Sequence, residues 1–121
     1  MTSISEADLA AVKREMRDLL IALAQMQQTI SYSELAAQLR TAYIHYRAPV
    51  FDHLLQDIGN EEVAAGRPVL PVLVVNKQTG RCGAGFFKRC AVYGFDVSDP
   101  EAFWQAEFER VCTFWSDRGT G

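Results

Sequence analysis

The chain has 121 residues, 49% hydrophobic and 22% charged, so it is long enough to bury one core and too apolar to be disordered. Its net charge of −3 argues against a protein that coats nucleic acid without specificity and leaves room only for a local basic surface. No apolar run is long enough to cross a bilayer, and the start MTSISEADLAAVKRE has no signal-peptide core. Cys82, Cys90 and Cys112 form no C-x-x-C pair. A cytoplasmic protein with reduced thiols, no disulfide framework and no zinc site is therefore expected.

Residues 5–28 read as a long helix. Leu9, Val12, Met16, Leu19, Leu23 and Met26 recur at alternating three- and four-residue steps. Ser5 suits the N-cap, with Asp8 placed for a capping box. Such a seam serves either the domain core, the commoner outcome, or a second copy of the chain.

The next segment, TISYSELAAQL, carries a complete helix-start signal for a very short helix. Ser31 can cap the N–H of Glu34, and Glu34 can reach back to the N–H of Ser31. Ile30 and Leu35 have the spacing of a hydrophobic staple, and Tyr32, Leu35, Ala36 and Leu39 fall on one face. A helix so short is marginal alone and must dock on something. It reads as the first helix of a helix-turn-helix or as a linker helix in an α/β domain.

Pro49 favours a helix starting there, with Val50, Phe51, Leu54, Leu55 and Ile58 as its apolar face, weakened at Gly59-Asn60 and ended by Gly66. LPVLVVN, Leu70–Asn76, is short, β-branched and almost wholly apolar, so a buried strand is expected. Lys77–Gly80 reads as a turn. RCGAGFF follows as a returning strand or as a glycine-rich loop leading into a helix over Phe86–Tyr93. Finally, Asp99 caps and Pro100 opens a terminal helix over residues 99–118, with Trp104, Phe108, Val111 and Trp115 in a stripe and Phe103 and Phe114 beside it. That stripe suits a core or a subunit interface. The expected fold is one mainly α domain with a small β element: a long helix at 5–28, a winged helix-turn-helix-like core at 29–94, and the terminal helix.

Thr29-Ile30-Ser31-Tyr32-Ser33-Glu34-Leu35-Ala36 resembles the opening of the DNA-binding domain in alkylguanine–DNA alkyltransferases and alkyltransferase-like proteins. That family places a recognition helix led by Arg-Ala-Val next, and Arg47-Ala48-Pro49-Val50 is similar. Gly80, Gly83, Gly85 and Lys88-Arg89 look like the family's glycine-rich stretch and basic pair. The resemblance spans about Thr29 to Gly94. It implies that Tyr32 sits against a nucleotide backbone and that Arg47 takes the place of an extruded base. The family's alkyl-accepting Pro-Cys-His-Arg-Val is Pro71-Val72-Leu73-Val74-Val75 here. Valine cannot supply the activated thiolate that alkyl transfer needs, so the resemblance implies a fold and a binding mode without the reaction. Pro49 and the acidic Asp52 and Asp57 depart from the family pattern on the would-be recognition helix, and carboxylates there repel phosphates.

Between Arg67 and Phe95 stand five basic residues, Arg67, Lys77, Arg81, Lys88 and Arg89, and no carboxylate. Glycine N–H groups in such a stretch suit phosphates; acids on neighbouring elements could equally neutralise it. Tyr32, Arg47, Lys77, Arg81, Lys88 and Arg89 are the expected nucleic-acid contacts. Gly80–Gly85 lacks the Lys-Ser/Thr of a phosphate loop, which disfavours a nucleotide-binding enzyme. His45 and His53 lack the spacing of a helical metal pair, and no serine elbow is present. The expected protein is non-enzymatic, with no catalytic residue, cofactor or metal. A winged-helix protein-interaction or dimerisation module is the alternative, favoured by the acidic balance and the aromatic terminal helix.

Overall fold

The computed structural model describes residues 5–116. Helix α1 (Glu6–Gln25) starts at Ser5, whose hydroxyl accepts the Asp8 N–H at 3.1 Å. Val12, Met16, Leu20 and Ala24 are its buried stripe. Leu9, Leu19 and Leu23 only flank the core, and Met26 is 57% exposed. The stripe therefore advances by four residues, and the expected seam missed Leu20 and Ala24. It lies against this chain's own core, touching the third and fifth helices. The helix stops short of Gln28. Gln27 turns to φ +58°, its N–H meets Ala24 O at 3.1 Å, and the Gln28 N–H meets Leu23 O at 3.0 Å, a Schellman ending with Gln in the left-handed place.

Strand β1 (Ile30–Ser31) runs directly into α2 (Tyr32–Gln38). The capping box forms in both directions: Ser31 Oγ accepts the Glu34 N–H at 3.2 Å, and Glu34 Oε1 accepts the Ser31 N–H at 3.3 Å. Ile30 and Leu35 are both buried, as a staple requires. Residues 39–48 then separate α2 from α3 (Pro49–Ala64), a longer link than the roughly three- to four-residue turn of a helix-turn-helix. Glu15 on α1 anchors this link by accepting the N–H groups of Arg40 at 2.8 Å and Thr41 at 3.1 Å.

Helix α3 buries Phe51, Leu54, Leu55 and Ile58 and continues unbroken through Gly59-Asn60. Gly59 is needed for close packing, since a Cβ there would stand 3.2 Å from the Tyr93 hydroxyl and 3.6 Å from the Pro71 ring. The expected strand at Leu70–Asn76 is mostly something else. Leu70–Leu73 is a 3₁₀ helix, and only Val74–Val75 forms a strand, β2. Pro71 has no N–H to give a ladder, and the Val72 N–H closes a turn onto Val69 O at 3.0 Å. β2 pairs in parallel with β1, Ile30 opposite Val74 and Ser31 opposite Val75.

The Lys77–Gly80 turn closes on Asn76, whose carbonyl accepts the Gly80 N–H at 2.8 Å, with Gly80 at φ +69°. No strand returns. The glycine-rich loop leads into α4 (Ala84–Val92), the second of the two expected alternatives. Helix α5 (Pro100–Ser116) begins where Asp99 Oδ1 accepts the Ala102 N–H at 3.1 Å. It buries Trp104, Val111 and Trp115. The last expected positions of that helix, 117 and 118, lie outside the described residues. Two carboxylates complete the core. Glu62 bonds Arg17 of α1 at 2.7 Å and also Arg67; Glu107 accepts the Val69 N–H at 2.7 Å and pairs with Arg110. The fold is thus mainly helical with one small parallel sheet.

Candidate nucleic-acid interface

The β1–β2 pairing decides which surface residues meet. It sets Ser31 beside Val75, so the start of α2 abuts the turn that follows β2. A polar cleft of about 340 Å³ opens there, lined by Ser31, Tyr32 and Ser33, by Tyr46 and Arg47 from the link before α3, and by Asn76, Lys77 and Gln78. Arg47 is held in place locally. Its guanidinium lies 5.5 Å from the Tyr46 ring centroid, Tyr46 stacks on His45 at 4.8 Å, and the Arg47 N–H reaches His45 Nδ1 at 3.1 Å. Asn76 shapes the turn by accepting the Gln78 N–H at 2.9 Å.

Tyr32 also borders a second hollow, of about 180 Å³, between α3 and α4. Its floor is Val69, Pro71 and Val74. Helix α3 contributes Asp52, Leu55, Gln56 and Gly59; the glycine-rich loop and α4 contribute Gly83, Gly85, Phe86, Arg89, Cys90 and Tyr93. The Tyr93 hydroxyl donates to Asn60 Oδ1 at 2.5 Å and ties the two helices together at one end. Gln56 Nε2 donates to Asp52 Oδ2 at 2.6 Å and steadies that carboxylate. Burial, reinforced by Cys82 and Asp52, pushes the Tyr32 hydroxyl up to about 12.

The expected contacts separate into groups. Tyr32, Arg47 and Lys77 share the polar cleft, and Arg89 lines the apolar hollow. Arg81 lines neither. It bonds Glu101 through both carboxylate oxygens, at 2.8 and 2.7 Å, and its guanidinium lies 4.1 Å from the Trp104 ring centroid. Lys88 is exposed on α4 and lines neither hollow. Arg67 is bound to Glu62. Sequence reasoning did not pick out Tyr46, Asn76, Gln56 or Tyr93, and it read Asp52 only as a repulsive charge. A Tyr directly before Arg47 was the one local signal for a stacked guanidinium.

All three thiols are free and buried. Cys82 donates to Val72 O and Val74 O at 3.3 and 3.2 Å, and burial pushes it up to about 12. Burial, then the Glu107 charge, pushes Cys90 up to about 12, and burial raises Cys112 as well. Val72, where the resemblance would place an acceptor cysteine, is fully buried, and its carbonyl also accepts Trp104 Nε1 at 3.2 Å. Among the described residues no three His, Cys, Asp or Glu side chains gather to hold a metal, and no helix is long and apolar enough to cross a membrane. Comparison with protein-family models, with curated proteins and with solved structures finds no match for this chain.

Proposed function

We propose that this chain is a non-enzymatic, winged-helix-like cytoplasmic domain that binds nucleic acid, gripping the sugar-phosphate backbone in the polar cleft. The observation that carries the reading is the convergence of Tyr32, Arg47 and Lys77, from three separate segments, on one cleft. Lysine, arginine, serine, asparagine and tyrosine are the side chains that hold phosphates and sugars. The neighbouring hollow of about 180 Å³ is close to the roughly 150 Å³ that accepts a benzene ring. It suits one unstacked base, with Arg47 filling the gap that base leaves, as the alkyltransferase resemblance implies. Buried thiols with raised pKa, and valine at the acceptor position, support binding without alkyl transfer. This contact surface is narrower than the whole basic run, since Arg81 is occupied by Glu101.

The test is a salt titration of fluorescent duplex binding. Each phosphate contact releases counterions, so Lys77→Ala should lower the log–log slope by about one. Lys88→Ala, outside both hollows, should leave the slope unchanged. Arg47→Ala should weaken binding mainly to duplexes with an unpaired base. No binding at low salt overturns the reading. It would leave a protein-interaction or dimerisation module, which the exposure of Tyr43 (81%) and Val92 (86%) favours, and which a sizing column would register as a dimer or complex.

A further inference from the structure

The hollow between α3 and α4 has charged groups of opposite sign from its two helical walls. Asp52 comes from α3, held by Gln56; Arg89 comes from α4. Val69, Pro71, Val74 and Phe86 give the same hollow its apolar lining. A carboxylate offers acceptors only, so it favours a base edge with two adjacent donors. A guanidinium offers donors only and favours an edge with two acceptors. Guanine has both. Its Watson–Crick edge presents N1–H beside the N2 amine, and its other edge presents O6 and N7, the pair that arginine binds bidentately. Adenine and cytosine set a ring acceptor beside their amine, and thymine flanks its single N–H with two carbonyls. Each of these turns a lone pair toward Asp52.

Building on the proposed nucleic-acid reading, we infer that the hollow selects an unmodified, unstacked guanine, with Asp52 on its donor edge and Arg89 on its acceptor edge. Alkylation at O6 removes the N1 proton and blocks O6, so it weakens both contacts. The preference is thus opposite in sense to the one the alkyltransferase resemblance suggests. It also gives Asp52 a task on a helix where its charge only repels the backbone.

The experiment compares affinities for duplexes in which guanine, adenine, cytosine, thymine or O6-methylguanine stands opposite an abasic site. Guanine should bind about tenfold or more tighter than each of the others. Asp52→Asn, which retains an oxygen for Gln56, should erase that preference, and Arg89→Gln should reduce it while leaving the thymine duplex little changed. Equal affinities across the bases, tighter binding of O6-methylguanine, or a preference that survives Asp52→Asn would overturn the inference alone and leave backbone binding standing. Failure of every duplex to bind would overturn both.

Discussion

Removing both arginines that face Glu62 should destabilise the protein far more than removing the charge of Glu62 itself. Glu62 is 0% exposed, whereas the side chains of Arg17 and Arg67 are 29% and 31% exposed. In the Arg17→Ala/Arg67→Ala variant the carboxylate loses both of the guanidiniums that neutralise it. Stripping the partner from a buried pair costs about 3–5 kcal/mol, a large share of the roughly 5–15 kcal/mol that holds a domain together. In Glu62→Gln the arginines, already partly wet, complete their hydration, and the amide oxygen keeps one acceptor. The loss is then about 1–3 kcal/mol, that of charged hydrogen bonds. Either single arginine variant should lie between wild type and the double variant, because one guanidinium still faces the carboxylate. Urea unfolding followed by far-ultraviolet circular dichroism gives the values. Tryptophan fluorescence is a poor probe, since Arg17 lies 5.4 Å from the Trp115 ring centroid. A double variant no less stable than Glu62→Gln would refute the idea that a trapped carboxylate, rather than the loss of attraction, sets the cost.

Ser31→Ala should lower stability by about 0.5–2 kcal/mol, since it deprives the Glu34 N–H of its cap and leaves a seven-residue helix; an unchanged urea midpoint would contradict this. Arg81 holds the Glu101 carboxyl at about 2, below its ordinary 4.5, so the pair stabilises fully above about pH 4.5 and progressively less as pH falls toward 2. Glu101→Gln should therefore flatten the acid side of the stability–pH curve and leave its slope near neutrality unchanged. At pH 8 a thiol-reactive disulfide should leave Cys82 and Cys90 unmodified in the folded protein and react with all three cysteines in denaturant. A labelled O6-alkylguanine oligonucleotide should transfer no alkyl group to any cysteine, and stoichiometric labelling would reverse the non-enzymatic reading.

What could be read from the sequence was local. Ser31 and Glu34 are three residues apart, so their capping box follows from the chain itself, as do Ser5 at α1 and Asp99 and Pro100 at α5. LPVLVV was misread because a short apolar run marks burial, and a buried 3₁₀ turn is as apolar as a buried strand; Pro71 inside the run was the available warning. The α1 seam was placed with Leu9 and Met26 because apolar character alone does not reveal where the neighbouring helices lie. Neither buried carboxylate was foreseeable, since Glu62 meets Arg17 and Glu107 meets Val69 only through the tertiary fold. The same holds for the interface. Charge counting found Lys77, and the alkyltransferase resemblance pointed to Arg47, but neither showed that Arg81 would be claimed by Glu101, nor that Asp52 and Arg89 would line one hollow.

The parallel ladder of β1 and β2 also affects the order of assembly. Its partners, Ile30 with Val74 and Ser31 with Val75, are distant in sequence, so closing that loop carries an entropic cost before any bond forms. Two residues on each side return little for it. The ladder should therefore zip up only after α1, α3 and α5 have collapsed, and it should have the lowest barrier to local opening. The cleft is hung on it, between Ser31 and Asn76. Amide exchange should be fast along Val74–Val75 under conditions where α1 is fully protected, and a ligand that spans the cleft would act as a rivet across this joint.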